Sequence, residues 1–100
     1  MIDHLGLQCT DPEASAAFLT RVLAPCGVVE AVRIDTPHGP VIGLAGPAGQ
    51  PQLWTAPLEQ PGNRPVHLAL AAPSRDAVDA VFAAAQEAGA EVLHEPREWP

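Results

Sequence analysis

The chain contains no lysine. Its five basic residues are all arginine, set against twelve acids, for a net charge of −7 over 100 residues. A field of that sign repels phosphate backbones, which argues against nucleic acid as a partner. Cysteine is scarce as well, with only Cys9 and Cys26, whose spacing matches no zinc or redox motif. Both are expected to be reduced, packed thiols. By strand parity Cys9 faces away from His4, so the two are not expected to share a metal. No run approaches the ~20 apolar residues of a membrane span, and no basic stretch leads into an apolar one. The chain is therefore expected to be soluble and cytoplasmic, without a membrane partner. A Gly-rich phosphate loop, a Gly-x-Ser-x-Gly elbow and a CxxC pair are all missing.

Apolar residues, at 47%, are plentiful. One small domain of this length can bury roughly two-thirds of its unfolded surface, so a genuine core is feasible. Its most informative feature is an internal echo. The stretch from His4 to Gly27 returns, blurred, as His67 to Gly89. In each copy a strand histidine precedes a helix cap, Asp11 or Ser74, by seven residues. Phe18 corresponds to Val81 and Val22 to Ala85, while Gly27 and Gly89 fall one place out of register. The repeat predicts two similar strand–helix units and puts two imidazoles at equivalent points.

Ile2 to Cys9 reads as a strand with two faces: Leu5, Leu7 and Cys9 toward a helix, His4, Gly6 and Gln8 away from it. Asp11 as N-cap, Pro12 in the first turn and Glu13 at the positive dipole end open a helix. Its apolar stripe is Phe18, Leu19, Val22 and Leu23, and Pro25 and Gly27 stop it. Val28 to Ile34, Val41 to Ala45 and Gln52 to Ala56 read as three further strands, kept brief by proline, with Pro51 suited to a strand start. Pro57 to Pro65 is the linker. Val66 to Ala71 reads as a fifth strand and Ser74 caps a second helix. Val78, Val81, Phe82 and Ala85 should form the buried stripe of that helix, and Gly89 should end it. Glu91 to His94 begins a sixth strand. The first unit has three strands after its helix, whereas the second has room for one.

This order resembles the glyoxalase/bleomycin-resistance/extradiol-dioxygenase superfamily, the vicinal oxygen chelate proteins. The matching residues are Ile2-Asp3-His4-Leu5, Asp11 and Phe18-Leu19 in the first half. In the second half they are Pro65-Val66-His67-Leu68-Ala69-Leu70 and Glu87-Ala88-Gly89-Ala90-Glu91-Val92. The resemblance implies an α+β fold of paired βαβββ modules forming a cupped mixed sheet, the second module cut short. Residues 1–57 would be the first module and 65–100 the incomplete second, within one glyoxalase-like domain. It also implies a divalent metal ion (zinc, nickel, iron or manganese) in the cup. The first-strand ligand positions match His4 and His67. The fourth-strand position falls near Gln52 to Trp54, where Leu53 and Trp54 cannot ligate and a Gln52 amide is a poor ligand. The final ligand usually follows an Asp-Pro-x-Gly turn, and this sequence contains none.

The residues themselves point to a cup as well. His4 shares its face with Gly6 and Gln8, and His67 with Ala69 and Ala71, so little bulk fills that side. Imidazole is a common metal ligand and suits neutral pH. Alternatively, both histidines are polar residues bonded to neighbouring side chains. Gln52 and Trp54 are the candidate substrate-binding residues. His38, His94 and Arg64 are expected to be solvated. The leading functional expectation is a metal-assisted isomerase, lyase or dioxygenase acting on a small molecule with adjacent oxygens, with His4 and His67 as ligands. No general base is evident. The competing expectation is a metal-free binder, such as an antibiotic-sequestering relative, which the Leu53-Trp54 pair favours. An incomplete sheet would leave unpaired edges, so a homodimer is expected.

Overall fold

A computed structural model describes residues 1–62 and 65–100. The order of elements is β1 (Leu5–Cys9), α1 (Pro12–Val22), a 3-10 turn (Ala24–Cys26), β2 (Val29–Thr36), β3 (Gly39–Ala45), β4 (Pro51–Pro57) and α2 (Arg75–Glu87). The fold is α+β, as the sequence predicts, with the second unit contributing a helix.

Helix starts follow the capping chemistry. The Asp11 carboxylate accepts from the Ala14 amide at 3.0 Å, and the Ser74 hydroxyl accepts from the Ala77 amide at 3.1 Å. Both caps sit in extended backbone, as an N-cap requires. Gly27, at φ +75°, closes the 3-10 turn by entering the left-handed region that other residues rarely adopt. Pro51 opens β4, the strand start its missing N–H allows.

The four strands form one mixed sheet in the order β1-β4-β3-β2. β1 runs parallel to β4, pairing Leu5 with Leu53, Gly6 with Trp54 and Leu7 with Thr55. β3 runs antiparallel to both β4 and β2. The register separates two faces. Leu5, Leu7, Leu53, Thr55, Ile42 and Leu44 turn toward α1, where Ala16 is small enough to let the helix approach closely. Ala16, Ile42, Leu44 and Leu53 make the buried core, with Leu5, Leu7, Leu19 and Val28 packed against it. The opposite face carries Gly6, Gln8, Gln52, Trp54, Ala56, Val41, Gly43, Val32 and Ile34.

Helix α2 packs on the 3-10 turn and on α1. Several sequence expectations change here. Val66 to Ala71 and Glu91 to His94 form no strand among the described residues. Val66, Leu68 and Leu70 are exposed in consequence. A strand is held by its neighbour's hydrogen bonds, and neither segment has one. Helix α2 buries Ala77, while Val81 and Phe82 are half-buried and Val78 is exposed. In α1 the expected stripe holds at Val22 and Leu23, which are buried, and at Leu19, which packs against the core, whereas Phe18 is exposed. Phe18 lies about 200° around the helix from Ala16, which faces the sheet. β1 starts at Leu5, leaving Ile2 to His4 outside the strand.

Candidate functional site

The face of the sheet opposite α1 is the one on which the sequence places the cup. Three features of the strands shape it. Gly6 on β1 has no atom within 4 Å of the place where a Cβ would stand, so space lies open above it. Its parallel partner on β4 is Trp54, and the next strand over puts Gly43 beside Trp54. A methyl group built on Gly43 would stand 2.9 Å from Cη2 and Cζ3 of Trp54 and 3.0 Å from Cζ2. A point beyond the ring's edge would be nearest the middle atom, Cη2. Near-equal distances to three consecutive atoms put the methyl over the ring face instead. The indole therefore lies flat across the backbone of Gly43, with its other face turned away from the sheet. Sequence reasoning found Trp54 but missed Gly43, because only the cross-strand register reveals the pair.

Beside Gly6, the strand neighbour of Trp54, a cavity of about 610 Å³ opens at the β1 edge. Gly6, Leu7 and Gln8 form one side of it, and residues 58–62 with Val66 form the other. Glu59 also borders a second hollow with Thr36, His38, Val41 and Ala56, at the hairpin end of the same face. The hairpin turn itself is closed by side-chain bonds: Thr36 Oγ1 donates to the Gly39 carbonyl at 2.6 Å and accepts from the His38 amide at 3.2 Å.

The sequence-predicted site residues divide. Trp54 is half-buried in the floor, and Gln52 is exposed at the start of the same strand, two residues along on the same face. His4 lies just before β1. Its Nδ1 donates to Asp3 Oδ1 at 2.8 Å, and Asp3 Oδ2 accepts from Gln50 Nε2 at 3.0 Å. An ionised carboxylate only accepts, so the neutral ring carries its proton on Nδ1 and keeps a lone pair on Nε2. The bond from His4, with that from Gln50, holds the Asp3 carboxyl below its ordinary value. His67 is exposed, on a stretch without strand pairing. His38 is exposed in the hairpin turn, and His94 stands edge-on to Trp99 with ring centroids 5.4 Å apart. Arg64 lies outside the described residues. Cys9 and Cys26 are both free thiols.

A catalytic zinc-type centre takes three protein ligands and keeps one position open. Among the described residues no three His, Cys, Asp or Glu side chains converge. The cup floor offers an indole and an amide where a carboxylate or imidazole would be needed. The donor set among the described residues does not by itself fit such a centre.

Two further groups are structural. Arg33 on β2 bridges Glu13 of α1 and Glu30 of its own strand, with Nη2 at 2.7 Å from Glu13 and 2.6 Å from Glu30. That pairing lowers the Glu13 pKa and raises that of Arg33. These charges sit on the α1 side, away from the cup. In the tail, the Arg97 guanidinium lies 3.7 Å from the Trp99 ring centroid.

The glyoxalase-like domain family matches this sequence over residues 4–100. The chain belongs to that family, in agreement with the resemblance its two histidine-bearing halves suggest. No curated protein matches it. Among the described residues, no helix is long and apolar enough to cross a membrane.

Proposed function

We propose that this glyoxalase-like chain binds a small organic molecule at the β1 edge of the sheet face opposite α1. The observation that carries this reading is the 610 Å³ cavity beside Gly6, Gln8 and Glu59, of a size typical of small-molecule sites. Polar side chains are few there and mark a rim: Gln8, Gln60 and Glu59. Gln52 borders a separate hollow with Leu53, Leu70 and Ala71. A neutral bicycle such as 2-quinolinone tests the reading by amide NMR shift mapping. Shifts clustered at Gly6, Gln8 and Glu59 support it. Shifts elsewhere, or none at millimolar ligand, overturn it. The cytoplasm is the compartment we propose, on the arguments from composition given above.

A metal-assisted isomerase, lyase or dioxygenase is the second reading. The observation favouring it is His4, whose ring is oriented by the Asp3 carboxylate so that Nε2 is free, an arrangement common for metal-binding imidazoles. His67 would be the second protein ligand. The remaining ligands would come from water, from the substrate or from a second copy. Elemental analysis of protein purified without chelators separates the two readings. Stoichiometric zinc, nickel, iron or manganese supports the enzyme, and metal well below stoichiometry supports the binder.

A further inference from the structure

We infer that Gly43 and Trp54 together form a stacking platform that selects a flat ring without negative charge. The inference rests on the reading of the cup as a ligand site and adds the chemical class of its occupant. Gly43 is what makes the platform possible. Any side chain there would collide with the indole and tip it off the sheet, because a single methyl already falls within 3.0 Å of the ring. With hydrogen at that position the indole lies flat, one face against backbone and the other toward the open side. A flat aromatic face pinned in one orientation favours planar ligands, which stack without further ordering of the protein. The empty space over Gly6, the strand neighbour of Trp54, leaves room for the ring edge.

Charge sets the second half of the selection. Glu59 stands on the cavity wall and the other polar lining groups are neutral amides of Gln8 and Gln60. The chain as a whole is at −7. Of the described arginines, Arg33 is held by Glu13 and Glu30, Arg75 pairs with Glu98 at 2.6 Å and Arg97 lies over Trp99, while Arg64 is outside the described residues. An indole face also attracts cations through its quadrupole. A planar cation therefore gains from both the ring and the carboxylate, while a planar anion meets repulsion from Glu59.

Three bicycles of similar size test this: N-methylquinolinium, 2-quinolinone and naphthalene-2-sulfonate, titrated against the ¹⁵N-labelled chain. The Trp54 indole N–H is read in a Trp99→Phe background so that one indole reports. The expected order is cation, then neutral ring, then anion, with the anion at least fivefold weaker than the cation at low salt. Glu59→Gln should narrow that gap, as should 0.5 M salt. Trp54→Ala should weaken the cation at least tenfold, whereas Trp54→Phe should retain part of the affinity. Gly43→Ala should shift the indole resonance without ligand and weaken all three probes. Should Gly43→Ala fail to fold, the Trp54→Phe and Trp54→Ala pair carries the test. Equal affinity for the three probes, or cup binding unchanged by Trp54→Ala, overturns the inference and leaves the cup reading intact. The absence of any shift at Gly6 and Gln8 with all three probes overturns both.

Discussion

Thr55 is fully buried on β4, and its hydroxyl donates to the Pro12 carbonyl at 3.1 Å, tying the first turn of α1 to the centre of the sheet. Thr55→Val keeps the shape and removes the donor, and should cost about 1–2 kcal/mol in denaturant melts, because a buried acceptor loses a partner. Nothing in the sequence singles out this residue, since its partner lies 43 positions away. Arg33 shows the same limit from the charged side. Its clamp on Glu13 and Glu30 joins β2 to α1 and depends on a crossing that no local pattern encodes. The carboxyl of Glu13 is depressed below 4.5 by Arg33, and that of Asp3 below 3.8 by His4 and Gln50. A depressed acid stabilises the fold above its unfolded value and loses that contribution as pH falls through its folded value. Stability should therefore fall as pH drops below about 4, and Arg33→Gln should flatten that fall. A wild-type and an Arg33→Gln curve of equal slope between pH 5 and 2 would contradict the assignment. Trp54 was legible as a cup residue from the fourth-strand position that the family resemblance implies. Its flat seat was not, because Gly43 reaches it only through the β3–β4 register.

At the scale of elements, local signals carried far. Asp11, Pro12, Ser74 and the glycine stops located both helices, while alternation in β1, β-branching in β2 and the Gly/Pro turns around β3 and β4 located the four strands of the sheet. Where the reading failed, the missing information was a neighbour. Val66 to Ala71 has the alternation of a strand, yet strand formation needs a paired edge, and among the described residues this segment has none. The same cause propagates into α2. Its apolar stripe was expected to be buried, but Leu68 and Leu70 of the neighbouring segment are exposed and the helix rests on the 3-10 turn and α1. Phe82 is accordingly half-buried, and Phe82→Ala should cost about 1–2 kcal/mol rather than the 3–5 typical of a fully buried ring. Leu44→Ala, at the centre of the sheet's covered face and 1% exposed, should cost about 2–5 kcal/mol. Urea melts that rank the two substitutions in the reverse order would contradict the packing described here.

For the whole molecule, two features are left open. β1 is an edge strand with one side unpaired, and Val66, Leu68 and Leu70 expose apolar surface on the chain's second half. Proteins normally cover such edges. We propose that the chain is a homodimer, kept soluble by its net charge of −7. Light scattering at micromolar concentration should give twice the mass of one chain, 10.4 kDa, and a monodisperse monomer would contradict it. The halves of the repeat were legible as a family signature, and the glyoxalase-like match over residues 4–100 agrees with it. The occupant of the cup was not, because the floor departs from a metal-ligand pattern at Gln52 and Trp54. The cup itself is tested most directly by plugging it. Gly6 lies in an ordinary strand conformation with open space at its Cβ, so Gly6→Leu should leave the melting midpoint unchanged or raise it while its side chain fills the cavity. Titrating 2-quinolinone into wild type and Gly6→Leu by amide NMR, we expect binding to weaken at least tenfold in the variant; equal affinity in two equally stable proteins would place the ligand outside the cup.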